Sequence, residues 1–234
     1  MDSQVKYRHE NKFIISYAQK AAIENSIAGV LQKDSHLKGE SYNIRSIYFD
    51  DYDHSCFYEN EYGVDPREKF RIRIYDGSSS IIRLELKKKQ KLMTQKLQCA
   101  LTREQVERII NDDPLDHFGE LDPLLRKFEL QRMCRKLHPD VIVEYDRVPY
   151  VYEMGNVRIT FDMNISASND YEHFFCSSIA KRPIMMTDML VLEVKYDEYL
   201  PNYIEDLICV DTGQRVSFSK YYMCKHFLIQ EYGL

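Results

Sequence analysis

Charged residues stand two apart inside otherwise apolar, strand-like runs at Glu10/Lys12, Arg71/Arg73, Glu85/Lys87 and Glu193/Lys195. Arg158 and Asp162 flank Thr160 in the same way, and a lone Arg45 interrupts Asn43-Ile44-Arg45-Ser46-Ile47-Tyr48-Phe49. Alternate side chains of a strand face opposite ways, so each pair shares one side of its sheet and the apolar neighbours take the other. A chain so patterned folds into a sheet with one charged face. A solvated face would use Thr, Lys, Ser and Gln freely. Here Arg, Lys and Glu recur, the set that clamps phosphate and holds a divalent metal. The pattern predicts a phosphate-binding face turned into a lumen.

The 234 residues suit one domain over 1–234, since decorated all-β barrels reach this size as single units. Hydrophobic residues at 44% and charged residues at 29% allow a buried core and carry no signature of disorder. A formal net charge of -5 argues against a protein that lives on nucleic-acid phosphate, so any basic site is local. The Cys residues at 56, 99, 134, 176, 209 and 224 have no CxxC or metal-finger spacing and read as scattered reduced thiols. Met1 to Glu10 is polar, and no apolar run reaches the ~20 residues of a membrane span, which leads us to expect a cytoplasmic protein without direct membrane insertion.

Val5 to Ile15 alternates as a first strand, and Ser16 can cap a helix from Tyr17 to about Gln32. Further strands are expected at Tyr42 to Asp50, Lys69 to Tyr75, Ile81 to Lys89 and Gln95 to Ala100, with an Asp76 to Ser80 turn closing the central hairpin. Thr102 and Gln105 form a capping-box pattern, and Pro114 to Leu137 reads as two helical pieces restarting at Asp122-Pro123. Val141 to Arg147, Val151 to Met154, Asn156 to Asp162 and Met189 to Asp197 supply more strands, and Ser217 to Tyr232 has helical spacing. The expected fold class is α+β: a closed eight-stranded antiparallel barrel, or tunnel, with helices packed outside.

Arg71 and Arg73 stand ~7 Å apart on one strand face, a spacing that lets two guanidiniums grip successive phosphoryl groups. A solvated edge would explain one such pair, but the device recurs at Leu84-Glu85-Leu86-Lys87, Leu192-Glu193-Val194-Lys195 and Glu10/Lys12. Three Glu on a concave face can hold Mg²⁺ or Mn²⁺, and a cation cluster then supplies most of what phosphoryl transfer asks of a protein. His9, His54, His138 and His226 lack ligand spacing, and no Gly-rich phosphate loop or Ser triad is present. In the run Lys87-Lys88-Lys89-Gln90-Lys91, alternation turns Lys87 inward, while Lys220 on its own reads as a solvated cation.

Tyr7-Arg8-His9-Glu10-Asn11-Lys12-Phe13, Arg45 to Asp50, Lys69 to Tyr75, Leu84 to Lys87, Val157 to Asp162, Leu192 to Tyr196 and Ser219-Lys220-Tyr221 occur in one order along the chain. Together they resemble the VTC domain, the polyphosphate polymerase domain of the triphosphate tunnel metalloenzyme superfamily. The resemblance implies an eight-stranded tunnel that moves the γ-phosphoryl of ATP onto inorganic polyphosphate and releases ADP. It implies Lys12, Arg45, Arg71, Arg73, Lys87, Arg158, Lys195 and Lys220 as phosphate ligands and Glu193 as the main ligand of Mn²⁺ or Mg²⁺, with Glu10 and Glu85 as further metal candidates. Tunnel hydrolases and cyclases usually begin Glu-x-Glu-x-Lys. Here the first Glu position is Arg8, which favours the polymerase branch. Regulation and export would rest with partners, a membrane protein among them. A tunnel triphosphatase or nucleotide cyclase, and a noncatalytic polyphosphate- or nucleotide-binding module, are the competing readings.

Overall fold

The computed structural model of the chain describes residues 9–35, 37, 39–90, 93–208 and 215–233; Tyr7, Arg8 and Cys209 lie outside them. The strands are β1 (His9–Ser16), β2 (Gln32–Lys33), β3 (Tyr42–Asp50), β4 (Arg67–Tyr75), β5 (Ser78–Gln90), β6 (Met93–Ala100), β7 (His138–Tyr152), β8 (Val157–Ser168), β9 (Arg182–Pro183) and β10 (Met189–Tyr196). The α-helices are α1 (Tyr17–Ile27), α2 (Ser55–Glu61), α3 (Arg103–Ile110), α4 (Pro123–Arg135), α5 (Asn202–Ile208) and α6 (Lys220–Tyr232). The hydrogen-bonded order is β1-β10-β8-β7-β3-β4-β5-β6, with β2 on β7 and β9 on β8. The expected α+β class with an antiparallel sheet is therefore present. The expected closure is not made by hydrogen bonds, because β6 does not pair back to β1 among the described residues.

Chain contacts divide the molecule into two compact units. The first comprises the described parts of Met1–Asn43, Tyr145–Ile165 and Pro183–Ser219. Its helix α1 starts as the sequence predicts: the Ser16 side chain accepts from the Gln19 backbone, and the Gln19 side chain accepts from the Ser16 N–H at 2.8 Å. α1 stops at Ile27, short of the expected Gln32, because Gly29 takes φ +79° and sends the chain into β2. Ile159, Phe161, Leu190, Leu192 and Val194 fill one sheet face, and Ile23 and Ile27 of α1 with Ile204 and Ile208 of α5 cover it. Each aliphatic side chain so buried contributes about 1.5–3 kcal/mol.

The second unit comprises the described parts of Ile44–Glu144, Ser166–Arg182 and Lys220–Leu234. Its β4–β5 hairpin closes at Asp76-Gly77, both at positive φ (51° and 63°), a tighter turn than the expected Asp76 to Ser80. A Cβ at Gly77 would lie 3.1 Å from the Cys176 carbonyl oxygen, so the close approach also calls for glycine. Ile47, Phe49, Phe70, Ile72, Leu84 and Leu86 form the apolar sheet face, covered by Val106 and Ile109 of α3 and Leu124, Leu125 and Phe128 of α4. α3 opens on the predicted Thr102/Gln105 box, and α4 on an Asp122 cap with Pro123 in its first turn. α6 is anchored at its second residue: the Tyr221 hydroxyl lies 2.7 Å from Asp50 Oδ2 and 3.0 Å from Asp140 Oδ2, and Lys225 Nζ donates to Asp140 Oδ1 at 2.6 Å.

Candidate functional site

With the aliphatics committed to the helices, alternation leaves each unit one charged sheet face. In the second unit the register sets Tyr48 beside Arg71, Arg71 beside Glu85, Ser46 beside Arg73, and Lys69 beside Lys87, which pairs onward with Lys96. Directly paired residues share a face, so the predicted Arg71, Arg73, Glu85 and Lys87 lie together. Arg71 donates through Nε to Glu85 Oε2 at 2.6 Å and through Nη1 to the Tyr48 hydroxyl at 2.8 Å. Arg73 Nη1 stands 4.0 Å and Lys96 Nζ 2.7 Å from Glu85 Oε1. Burial pushes the Glu85 carboxyl up, but Arg71, Arg73 and Lys96 together hold it down to about 2. Lys220 opens α6 in the same unit, half-buried.

Arg45 is not on this face. Its register partner is Ile74, and alternation puts it with Ile47 and Phe49 on the apolar side. It is 1% exposed, donates to Glu144 Oε2 at 2.5 Å, and donates to the carbonyl oxygens of Phe174 and Cys176 at 2.7 and 2.6 Å. Lys181 closes the ion group on Glu144. Through Nε and Nη1 this guanidinium ties the segment around Phe174–Cys176 to Glu144.

In the first unit Glu10 pairs with Lys195, Lys12 with Glu193, Glu193 with Thr160, and Lys195 with Arg158, so all five predicted charged residues of this unit share one face. One ammonium links two of the carboxylates: Lys12 Nζ stands 2.8 Å from Glu10 Oε1 and 3.8 Å from Glu193 Oε2. It also donates to the Phe218 carbonyl oxygen at 2.9 Å, just before Ser219-Lys220. Lys195 pairs with Glu193, and Arg158 with Asp34 at 3.0 Å.

Arg147 joins this face and was not among the predicted ligands. It grips Asp162 with Nε at 2.6 Å and Nη2 at 2.8 Å, and Asp162 is fully buried. Burial lowers the Arg147 pKa, but the Asp162 charge more than offsets it, so the guanidinium stays charged. Arg147 has no charged residue two positions away, so the doublet pattern passes over it. Lys69 and Lys96 were missed for the same kind of reason, since only the register reveals them as neighbours of Lys87.

The carboxylates fit a divalent ion unequally. Glu85 is already held by three cations, Arg71, Arg73 and Lys96. Glu10 meets the Lys12 ammonium and Glu193 those of Lys12 and Lys195, and the buried Thr160 hydroxyl across from Glu193 has no hydrogen-bond partner. Among the described residues no three His, Cys, Asp or Glu side chains gather as a metal cage. Two carboxylates suit Mg²⁺-like ions that complete their shell with substrate phosphate and water.

A family model, the VTC domain, matches residues 7–229. The chain belongs to the VTC domain family. Among curated proteins no relative matches it. An adenylate cyclase-like protein of Bacillus halodurans, 14% identical, superposes with a TM-score of 0.54 over 97% of each chain. The PH1819 protein of Pyrococcus horikoshii, 15% identical, gives a TM-score of 0.48 over 96% of this VTC domain and 100% of that chain. The first likeness establishes the shared fold; the second adds nothing to it. No helix among the described residues of this VTC domain is long and apolar enough to cross a membrane.

Proposed function

We propose that the chain is a polyphosphate polymerase: a terminal oxygen of inorganic polyphosphate attacks the γ-phosphorus of ATP, the bond to the β–γ bridging oxygen breaks, and ADP leaves. The observation that supports this reading is the Arg71/Arg73 pair, half-buried and buried on one sheet face and held by Glu85 and Tyr48. Two aligned guanidiniums bind consecutive phosphoryl groups and stabilise charge that spreads over the transferring group. Lys87, and Lys12, Arg147, Arg158 and Lys195 on the face of the other unit, have the same task, as has Lys220. The closed tunnel implied by the family resemblance belongs to this proposal, as do a cytoplasmic setting and a membrane-protein partner for export.

Glu193 with Glu10 would hold the Mn²⁺ or Mg²⁺, whose charge draws electron density from the γ-phosphoryl oxygens. The test is incubation with ATP and Mn²⁺, with and without short polyphosphate primer, following ADP, free phosphate and polymer. Polymer matched by ADP supports the proposal. Free phosphate or cyclic nucleotide alone makes the chain a tunnel hydrolase or cyclase, and polyphosphate binding without turnover makes it a noncatalytic module. Glu193→Gln should abolish turnover and the thermal stabilisation given by Mn²⁺ alone; full stabilisation in the variant removes Glu193 from the metal site.

A further inference from the structure

Thr160 stands on the charged face of the first unit, directly across from Glu193 and between Arg158 and Asp162 on its own strand. It is 1% exposed, and among the described residues its hydroxyl oxygen has no hydrogen-bond partner. A hydroxyl that is buried without a hydrogen bond costs stability, because it has given up water for nothing. Valine has nearly the same branched shape, suits a strand as well, and would fill the place without that cost. Strand formation alone therefore does not account for a threonine here.

Directly opposed side chains have Cβ atoms ~4.5–5.5 Å apart, near enough for a hydroxyl to donate to a carboxylate. The Glu193 carboxylate is committed to ammoniums instead: it pairs with Lys195 and stands 3.8 Å from Lys12 Nζ. Lys12 is divided further, between Glu10 at 2.8 Å and the Phe218 carbonyl oxygen at 2.9 Å. A divalent cation on Glu193 would repel both ammoniums, which the proposed chemistry also requires on phosphate oxygens. A neutral donor meets neither conflict, since its dipole can hold a carboxylate oxygen without adding charge beside the ion. Hydrogen-bond partners of that kind orient ligating carboxylates, and losing one weakens metal binding by roughly 10- to 100-fold.

We propose that Thr160 is the positioning residue of the Glu193 carboxylate. Its O–H donates to the Glu193 oxygen that does not bind the cation, and so fixes the other oxygen for Mn²⁺ or Mg²⁺ while Lys12 and Lys195 turn to phosphate. The inference rests on the reading of Glu193 as a metal ligand.

The test titrates Mn²⁺ into the wild type, Thr160→Val, Thr160→Ser and Glu193→Gln, following the free ion by its paramagnetic resonance signal, and unfolds each metal-free protein in urea. Thr160→Val should bind Mn²⁺ at least tenfold more weakly than the wild type. Its metal-free form should unfold at the same or a higher urea concentration, because an unsatisfied buried hydroxyl has been removed. Thr160→Ser keeps the hydroxyl and should bind Mn²⁺ in the wild-type range. Wild-type affinity in Thr160→Val, alongside loss of binding in Glu193→Gln, overturns the inference and leaves Glu193 as the metal ligand. A metal-free Thr160→Val that unfolds at lower urea, or a Thr160→Ser as weak as Thr160→Val, makes the residue structural and overturns it too. Undiminished binding in Glu193→Gln, or no binding by the wild type, removes the metal reading of Glu193 itself and the role of Thr160 with it.

Discussion

Glu85→Gln is the sharpest probe of the second-unit face. The carboxylate is 2% exposed, so solvent screening takes little from its interactions, and its pKa falls from 4.5 to about 2 under Arg71, Arg73 and Lys96 despite the opposing effect of burial. A drop of that size corresponds to about 3 kcal/mol of stability in the ionised form. The folded pKa is depressed, so the contribution is complete above the unfolded value of 4.5 and is lost as pH falls towards 2. Urea unfolding of both proteins should give a gap of about 3 kcal/mol at neutral pH, shrinking to less than half near pH ~3. A gap that stays constant with pH would refute the reasoning: Glu85 would then act through shape and hydrogen bonding rather than as the counter-charge of the arginines. Equal stability at neutral pH would refute it more simply.

Arg147→Met strands the buried Asp162 and should cost about 3–5 kcal/mol, and the double variant Arg147→Met/Asp162→Leu should regain most of that stability without regaining phosphoryl transfer. Return of transfer along with stability would make Arg147 structural alone. Arg45→Met leaves the buried Glu144 with Lys181 as its counter-charge and frees the Phe174 and Cys176 carbonyl oxygens, so it should destabilise by about 1–3 kcal/mol, while tripolyphosphate affinity of the folded protein stays at the wild-type value. Lower affinity at unchanged melting temperature would restore Arg45 to the phosphate ligands.

How much of this was legible follows from what a strand pattern encodes. Period two specifies which residues share a face, and it located Arg71, Arg73, Glu85, Lys87, Glu10, Lys12, Glu193, Lys195 and Arg158 where the register puts them. It misleads where a face is named by its one charged member. Arg45 is two and four positions from Ile47 and Phe49, so the same rule, applied to its apolar neighbours, assigns it to the core side. Neighbours on other strands are invisible to the pattern, which is why Lys69, Lys96, Arg147 and the unsatisfied Thr160 hydroxyl emerge only from pairing. Helix starts were legible because Ser16, Thr102 and Asp122 announce themselves by side-chain chemistry. The ends of α1 and the existence of α5 were not, since a turn glycine and tertiary packing decide them. β7 is one strand of 15 residues where the sequence suggested two, Val141 to Arg147 and Val151 to Met154.

The Tyr221 hydroxyl has a single hydrogen and two buried carboxylates within reach. Removing that hydroxyl would take from Asp50 and Asp140 the one donor within reach of both, leaving Asp140 to Lys225 and Asp50 to the backbone N–H groups of Cys56 and Phe57, a loss the fold bears whether or not any phosphate is ever bound. A descendant that had abandoned phosphoryl chemistry would therefore still be under pressure to keep the tyrosine of Ser219-Lys220-Tyr221. Persistence of that tyrosine in a lineage would then be a record of selection on folding.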